Sequence, residues 1–224
     1  RSLIAAHEER FAVQLLRDQI GRRVYPAHRL DRGTSGVLLF ALERDTAARL
    51  ALLFETRQVS KRYLAIVRGH PAEQGDIDHP LARRLDPIER SRGRGAGGRR
   101  DGDATPEDDA PHDEGADVTG KERDIQPART RFRRLATAEL PHRVDRYPTS
   151  RYALLELDPE TGRRHQIRRH LKHIAHPIIG DATCGKGRHN RLFQDLFGSS
   201  RLLLSCTRLE FPHPHSGVTV IIDA

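Results

Sequence analysis

Hydrophobic residues follow a helical period near the start of the chain. Apolar side chains recur every three or four positions between Phe11 and Ile20, and Gly21 directly afterwards is a natural helix end. A second helix is predicted from Asp45, a suitable N-cap, through Phe54. Two helices are therefore expected in the first quarter of the chain.

Most of the remaining apolar residues lie in short runs that are typical of strands. These runs are rich in aliphatic residues and are bounded by Gly, Pro and polar residues. They predict strands at Ser35–Leu42, Lys61–Val67, Arg129–Glu139, Arg151–Leu157, Leu202–Thr207 and Val218–Ile222, with further helices near Arg163–His173 and Asn190–Phe197. This order predicts an α+β fold with a mixed, mainly antiparallel sheet and flanking helices.

The segment Ser91–Asp124 has neither pattern. It contains no Leu, Ile or aromatic residue, and it is Gly/Arg-rich first and acidic afterwards. Such a segment cannot bury enough apolar surface to offset the entropy lost when it is ordered. We therefore expect a disordered, low-complexity insertion at residues 91–124, within a single domain that spans residues 1–224.

Charge and cysteine content narrow the class of protein. The net charge of +8 favours a polyanionic partner such as nucleic acid. Only four of the 39 basic residues are Lys, however, and a GC-rich genome would enrich Arg without any functional reason. The two cysteines form no disulfide framework, and no apolar stretch approaches the length of a membrane span. We expect a cytoplasmic protein with no membrane contact.

The segment His28–Gly36 places polar residues at the entrance of a predicted strand, where a scaffold can hold them rigidly. Asp31 is flanked by Arg29 and Arg32, and an adjacent cation lowers the pKa of a carboxyl group. An Asp31 that is ionised at neutral pH could serve as a nucleophile or a base. The alternative is a salt-bridged turn in which the glycines supply backbone freedom.

Two further segments combine a predicted element with polar chemistry. In the strand beginning at Lys61, Tyr63 could stack on a base, or it could be an ordinary half-buried tyrosine. In Thr161–His170, Arg164 and Arg168 lie four positions apart on a predicted helix. That face could hold phosphates, send one guanidinium inward to a buried carboxylate, or be a solvated basic surface.

Four histidines cluster in the same region and raise the possibility of a zinc site. His165, His170, His173 and His176 are separated by five, three and three positions, and the chain contains no HExxH motif. Zinc sites on helices use histidines four positions apart with a nearby glutamate. We therefore expect no metal, and a metal hydrolase is the least favoured alternative.

Taken together, these segments resemble the RluA family of pseudouridine synthases. The family's HRLDxxTSG, KxYxAxVxG, TGRxHQIRxH and PxxGD motifs are matched at His28–Gly36, Lys61–Gly69, Thr161–His170 and Pro177–Asp181. Their order and spacing agree over about residues 11–90 and 126–222. The stretches QLLRDQIG and RYPTSRY look most like the branch that modifies uridine 65 in tRNA.

The resemblance implies a pseudouridine synthase fold with a central RNA-binding cleft, and an isomerase that needs no cofactor and no metal. Its implied catalytic residues are Asp31, Tyr63, which packs on the target base, and Arg168, which pairs with the aspartate. The implied substrate-binding residues are Arg29, which fills the gap left by the extruded base, Ile167, which lines the base pocket, and also His28, Thr34, Arg164 and His165.

The implied partner is RNA, with tRNA favoured and rRNA possible, bound by a monomer. The sequence leaves two alternatives open: an rRNA pseudouridine synthase of the same family, and a non-catalytic RNA-binding protein on the same scaffold. The chain also departs from the family. Its strand pair and Lys-Pro-x-Gly loop upstream of His28 are not found, so an N-terminal piece is expected to be missing. Cys184 stands where many members have Tyr.

Overall fold

The computed structural model describes residues 11–83 and 124–224. The insertion predicted at residues 91–124 lies outside these residues apart from Asp124. The helices are α1 Ala12–Ile20, α2 Arg44–Glu55, α3 Gln166–His173 and α4 Gly187–Phe197. The strands are β1 Tyr25–Pro26, β2 Ser35–Gly36, β3 Phe40–Ala41, β4 Ser60–Arg68, β5 Gln74–Asp78, β6 Leu81–Ala82, β7 Ile125–Gln126, β8 Arg129–Leu140, β9 Ser150–Pro159, β10 Leu204–Pro212 and β11 Thr219–Asp223.

A seven-stranded sheet forms the centre of the described structure. Six strands follow the order β11-β10-β4-β9-β8-β5, and every neighbouring pair among them is antiparallel. The short strand β2 joins β10 in parallel. The prediction of a mixed, mainly antiparallel sheet with a few helices is therefore confirmed.

The central strand β9 is buried on both faces. Successive side chains of a strand point to opposite faces. Leu155 and Leu157, both 0% exposed, lie on one face and pack in a cluster with Leu171 of α3. Tyr152 on the other face packs against Phe193 of α4, with ring centroids 4.8 Å apart. Burial on both faces explains why this segment is a nearly continuous hydrophobic run in the sequence.

A second cluster of buried residues lies beside the first. Leu50 of α2 packs there with Leu209 and Phe211 of β10. Tyr63 of β4 is partly buried and contacts both clusters. The two clusters therefore meet at Tyr63, where the candidate site lies.

Ser35–Leu42 is not the single buried strand that its composition predicts. The segment forms two strands of two residues each, β2 and β3, and Leu42 is exposed. The reason is Gly36, whose φ of 104° interrupts an extended run. Asp45 is likewise not an N-cap but lies in the first turn of α2, where it accepts a 2.9 Å hydrogen bond from Arg49.

Strand β5 was not predicted because its residues, QGDID, contain one apolar side chain. The strand forms because it pairs with β8, and not because its own residues favour an extended conformation. Among the described residues, no helix is both long and apolar enough to cross a membrane.

Candidate active site

A cavity of about 420 Å³ opens where the two clusters meet. Asp31 reaches it from the loop before β2, Tyr63 from β4 and Arg168 from α3. These three residues are far apart in the sequence, and the fold brings them to one cavity.

A tight turn places Asp31. The amide of Thr34 donates a 3.0 Å hydrogen bond to the carbonyl of Asp31, and Gly33 adopts a φ of 84° inside that turn. A left-handed φ at the third position of a turn favours glycine. The chain then joins β10 through Gly36, where a Cβ would lie 1.9 Å from the carbonyl oxygen of Cys206. The segment thus needs both glycines to bring Asp31 to the cavity wall.

Tyr63 presents its ring at the junction of the two clusters. It pairs across the sheet with Cys206 of β10, so the two side chains lie on the same face. Burial raises the pKa of the Tyr63 hydroxyl strongly, and the neighbouring Cys206 and Asp31 raise it further. The phenol therefore stays protonated at neutral pH and can act as a hydrogen-bond donor.

Arg168 is buried and is held by a carboxylate from the loop before α4. Its Nε and Nη2 donate to Oδ2 and Oδ1 of Asp181, each at 2.7 Å. The Asp181 side chain is 0% exposed and also accepts hydrogen bonds from the backbone amides of Thr183 and Cys184. These donors lower the pKa of Asp181 despite its burial. One of the three interpretations of this helix face, a guanidinium turned inward to a buried carboxylate, is therefore correct.

The family resemblance implies that Arg168 pairs with Asp31, but in the described residues the carboxylate that is hydrogen-bonded to Arg168 is that of Asp181. Arg168 forms its two-bond pair with Asp181, and it acts on Asp31 electrostatically. The expected direction of the Asp31 pKa shift is wrong. Desolvation by burial raises that pKa and outweighs the lowering by Arg168, Arg29 and Arg164. The sequence shows the flanking arginines but not how deeply the fold buries the carboxyl group.

A hydrogen-bond network fixes the start of α3 against β8. The carboxamide oxygen of Gln166 accepts from the Thr161 hydroxyl at 2.6 Å and from the Arg163 amide at 3.0 Å. Its nitrogen donates to the hydroxyl of Thr130 at 3.0 Å. Thr130 also contacts Nδ1 of His170 at 2.9 Å. Thr161, Gln166 and His170 belong to the TGRxHQIRxH motif, and in the structure they position the helix that carries Arg168.

Most of the predicted substrate-binding residues also line the cavity. Arg29, Thr34, Arg164 and Ile167 do so, Arg29 being exposed and Ile167 buried. His165, at φ 55°, is the N-cap of α3 and is not among the described residues that line the cavity.

His28 lines the cavity and also has a structural contact. Its Nε2 accepts a 3.0 Å hydrogen bond from the amide of Leu39, and its ring stacks on Phe54 at 4.7 Å. Burial lowers the pKa of His28, which fits a neutral ring that accepts this bond. The His28 side chain therefore connects the loop that contains Asp31 to Leu39 and to Phe54 of α2.

Asp181, Gln166, Lys61 and Arg57 were not proposed as site residues from the sequence. The first three occupy fixed positions of the family motifs, and this position could have identified them as site residues. No motif covers Arg57. The histidines considered for zinc have other contacts. His170 is 2.9 Å from Thr130 and His176 is 2.8 Å from the Arg68 carbonyl. Within residues 11–83 and 124–224, no three His, Cys, Asp or Glu side chains are grouped to hold a metal ion.

Comparison with known proteins identifies the class to which this fold and site belong. Residues 4–173 match the family described as RNA pseudouridylate synthase. tRNA pseudouridine synthase C of Vibrio vulnificus is 42% identical over 225 residues, which cover 100% of this chain and 81% of that protein. The protein of the same name from Pasteurella multocida is 46% identical, with coverage of 100% and 82%. The chain belongs to the RNA pseudouridylate synthase family.

A solved structure agrees with this assignment. Human RNA pseudouridylate synthase domain containing 1 superposes with a TM-score of 0.65 and 27% sequence identity. The match covers 93% of this chain and 71% of the human chain. The family resemblance drawn from the four motifs, and the isomerase class that it implied, are thereby confirmed.

Proposed function

We propose that this chain isomerises uridine 65 of tRNA to pseudouridine, with Asp31 as its catalytic carboxylate. The observation that carries the proposal is the meeting of Asp31, Tyr63 and Arg168 at one cavity. Its volume of about 420 Å³ falls in the range of ligand pockets, so an extruded base can be accommodated.

The target uridine must leave the helix stack to reach Asp31. Extrusion of a base costs a few kcal/mol, and an enzyme can offset part of this cost by filling the gap. Arg29 is exposed at the cavity, two positions from Asp31, and its planar guanidinium suits stacking between bases. Arg29 therefore takes the place of the uracil in the stack.

The reaction rearranges bonds within one nucleotide. The bond between N1 of uracil and C1′ of the ribose breaks, the base turns, and a bond forms between C5 and C1′. C5 then loses its proton and N1 gains one, so no oxidant, reductant or water is consumed. The protein must supply a carboxylate, a proton path and a site that holds the free base.

Asp31 can act in either of two ways. Its carboxylate attacks C1′, or it removes the proton from C2′ to give a glycal and returns that proton later. Both routes require the ionised form of Asp31, and the positive charges of Arg168, Arg29 and Arg164 favour that form. Tyr63, protonated beside Asp31, stacks on the uracil and assists proton movement.

Two observations support tRNA as the substrate. The relatives described above are named tRNA pseudouridine synthase C. The stretches QLLRDQIG and RYPTSRY also resemble the branch that acts on uridine 65. Arginines that line the cavity, Arg57 and Arg163 among them, can contact the RNA backbone.

The experiment is to map pseudouridine after incubating the purified protein with unmodified tRNA and, separately, with rRNA. Carbodiimide labelling followed by primer extension gives the modified position. We expect one new pseudouridine, at position 65, and none when that uridine is replaced by cytidine. Modification of rRNA alone would reject the tRNA assignment, and the absence of pseudouridine in both RNAs would reject the proposed activity.

A further inference from the structure

A second cavity of about 390 Å³ adjoins the candidate active site. The two cavities share part of their walls, and Arg57 and Lys61 line both. Pro159 and Glu160 at the end of β9 are also shared. A nucleotide next to one held in the first cavity would therefore be within reach of the second.

Lys61 points toward the junction of the two cavities. It lies two positions before Tyr63 on β4, on the same face, and thus about 7 Å along the strand. Its Nζ is 3.6 Å from where a Cβ on Gly162 would lie. Burial lowers the pKa of Lys61, and the nearby Arg57 lowers it further. Lys61 is thus a partly desolvated ammonium group with a second cation beside it.

Neither cation at the junction has a carboxylate partner in the described part of the chain. No ion pair within 4.0 Å involves Arg57 or Lys61 there. Two cations held together without an anion repel one another. An anion bound between Lys61 and Arg57 would relieve this repulsion.

The acidic residues around the second cavity already have partners. Asp158 is 3.1 Å from Arg62, and Glu160 is 2.9 Å from Arg131. Glu210 is 3.9 Å from Arg208. Their charges are thereby largely offset, and the uncompensated positive charge stays at the junction.

We propose that Lys61 and Arg57 bind the phosphodiester that joins the target uridine to its neighbour, and that the second cavity holds the neighbouring nucleotide. This inference rests on the proposed function. A phosphate at the junction would supply such an anion with charge-assisted hydrogen bonds. Pro159, Pro212 and Phe211 contribute apolar wall to the second cavity, which suits a ribose or a base.

The test is a binding cycle with synthetic RNA. The probes are tRNA acceptor–T-arm hairpins that contain uridine 65 and carry a neutral methylphosphonate either 5′ or 3′ of it. Binding is measured in an Asp31→Asn background, so that no turnover intervenes. On unmodified hairpin, Lys61→Gln and Arg57→Gln should each weaken binding about tenfold. The slope of log K against log salt should fall by about one.

At one of the two methylphosphonate positions, the affinity of the background protein for the hairpin should also fall about tenfold. At that position the Lys61→Gln and Arg57→Gln substitutions should weaken binding little further, because the phosphate charge that they would contact is already absent. Lys61→Arg, which keeps the charge, should bind within about threefold of the background protein. Arg191→Gln, at an exposed residue of α4 that lines neither cavity, is the control for general charge loss. Circular dichroism verifies that each variant is folded.

Losses that simply add at both methylphosphonate positions would overturn the proposal. A loss from Arg191→Gln equal to that from Lys61→Gln would do the same. Because the cycle needs no turnover, it is independent of the activity assay. If the unsubstituted protein modifies uridine 65 but the affinity losses from the substitutions and from the methylphosphonates add, only the phosphate site is rejected. If binding is coupled but no pseudouridine forms, the proposed function is rejected.

Discussion

The guanidinium of Arg168 and the carboxylate of Asp181 form a buried pair joined by two 2.7 Å hydrogen bonds. The pair links α3 to the loop before α4, and Arg168 also lines the cavity of the candidate active site. Arg168 lowers the pKa of Asp31, whereas Asp181 raises it. The charge that Asp31 experiences therefore depends on a carboxylate outside the cavity wall.

Loss of the Asp181 carboxylate should destabilise the protein strongly. Asp181→Ala leaves the buried Arg168 charge without a partner, and we expect a loss of about 3–5 kcal/mol in the free energy of unfolding. Asp158→Ala, which removes a partly exposed pair with Arg62, should cost at most about 1 kcal/mol. Urea denaturation of both variants measures the difference. Equal costs would show that the Arg168 pair is not desolvated as the structure indicates.

Replacement of Asp31 should separate catalysis from binding. Asp31→Asn keeps the size of the side chain but removes the charge, so we expect pseudouridine formation to fall at least about 10³-fold. Affinity for tRNA should stay within about threefold, because contacts to phosphates carry most of the binding. Tritium release and filter binding measure the two quantities. Retained turnover in this variant would remove Asp31 from its role.

The ring and the hydroxyl of Tyr63 should contribute differently. Tyr63→Phe keeps the ring that we propose stacks on uracil and removes the hydroxyl group, so kcat should fall about 100-fold with little change in KM. Tyr63→Leu also removes the stacking surface and should weaken substrate binding by about 1–3 kcal/mol. Steady-state kinetics on tRNA distinguish the two variants. Unchanged kcat in Tyr63→Phe would restrict this residue to packing.

Stability should decrease as the solution is acidified. His28, His170 and His189 have pKa values lowered by burial, so the unfolded state binds protons more readily than the folded state. Their contribution is complete above the unfolded histidine pKa of about 6.5 and is lost as the pH falls through the folded values. Thermal unfolding measured from about pH 8 to about pH 5, the range in which histidines titrate, gives the slope of stability against pH.

The matched variant for this pH dependence is His170→Gln, whose side chain can still contact Thr130. It should flatten the slope, whereas the exposed His142→Gln should leave the slope unchanged. A pH profile that is the same in all three proteins would argue against buried neutral histidines.

Gly36 should tolerate no side chain. A Cβ there would lie 1.9 Å from the Cys206 carbonyl, and the φ of 104° is unfavourable for alanine. We expect Gly36→Ala to cost on the order of 3 kcal/mol and to displace Asp31. Gly198→Ala, also at positive φ but with open space around it, should cost about 1 kcal/mol. Chemical denaturation and the tritium-release assay compare the two.

The sequence predicted the periodic elements well and the polar ones poorly. The strand from Lys61 and the helix ending at Gly21 follow from hydrophobic spacing, and the structure has both. Strand β5 has one apolar residue and depends on pairing with β8, so no local pattern could reveal it. The composition of the segment after Thr34 predicts one strand, because the close approach of Gly36 to β10 cannot be seen in the residue types.

The sequence by itself determined the chemistry: which carboxylate, phenol and guanidinium are available, and the motifs that tie them to a family. Only the tertiary structure decided that Asp181 is the bidentate partner of Arg168, and that burial moves the pKa of Asp31 upward. Both outcomes depend on desolvation and on distances between residues remote along the chain. These quantities arise when the sheet and its helices pack together, and no local pattern of residues encodes them.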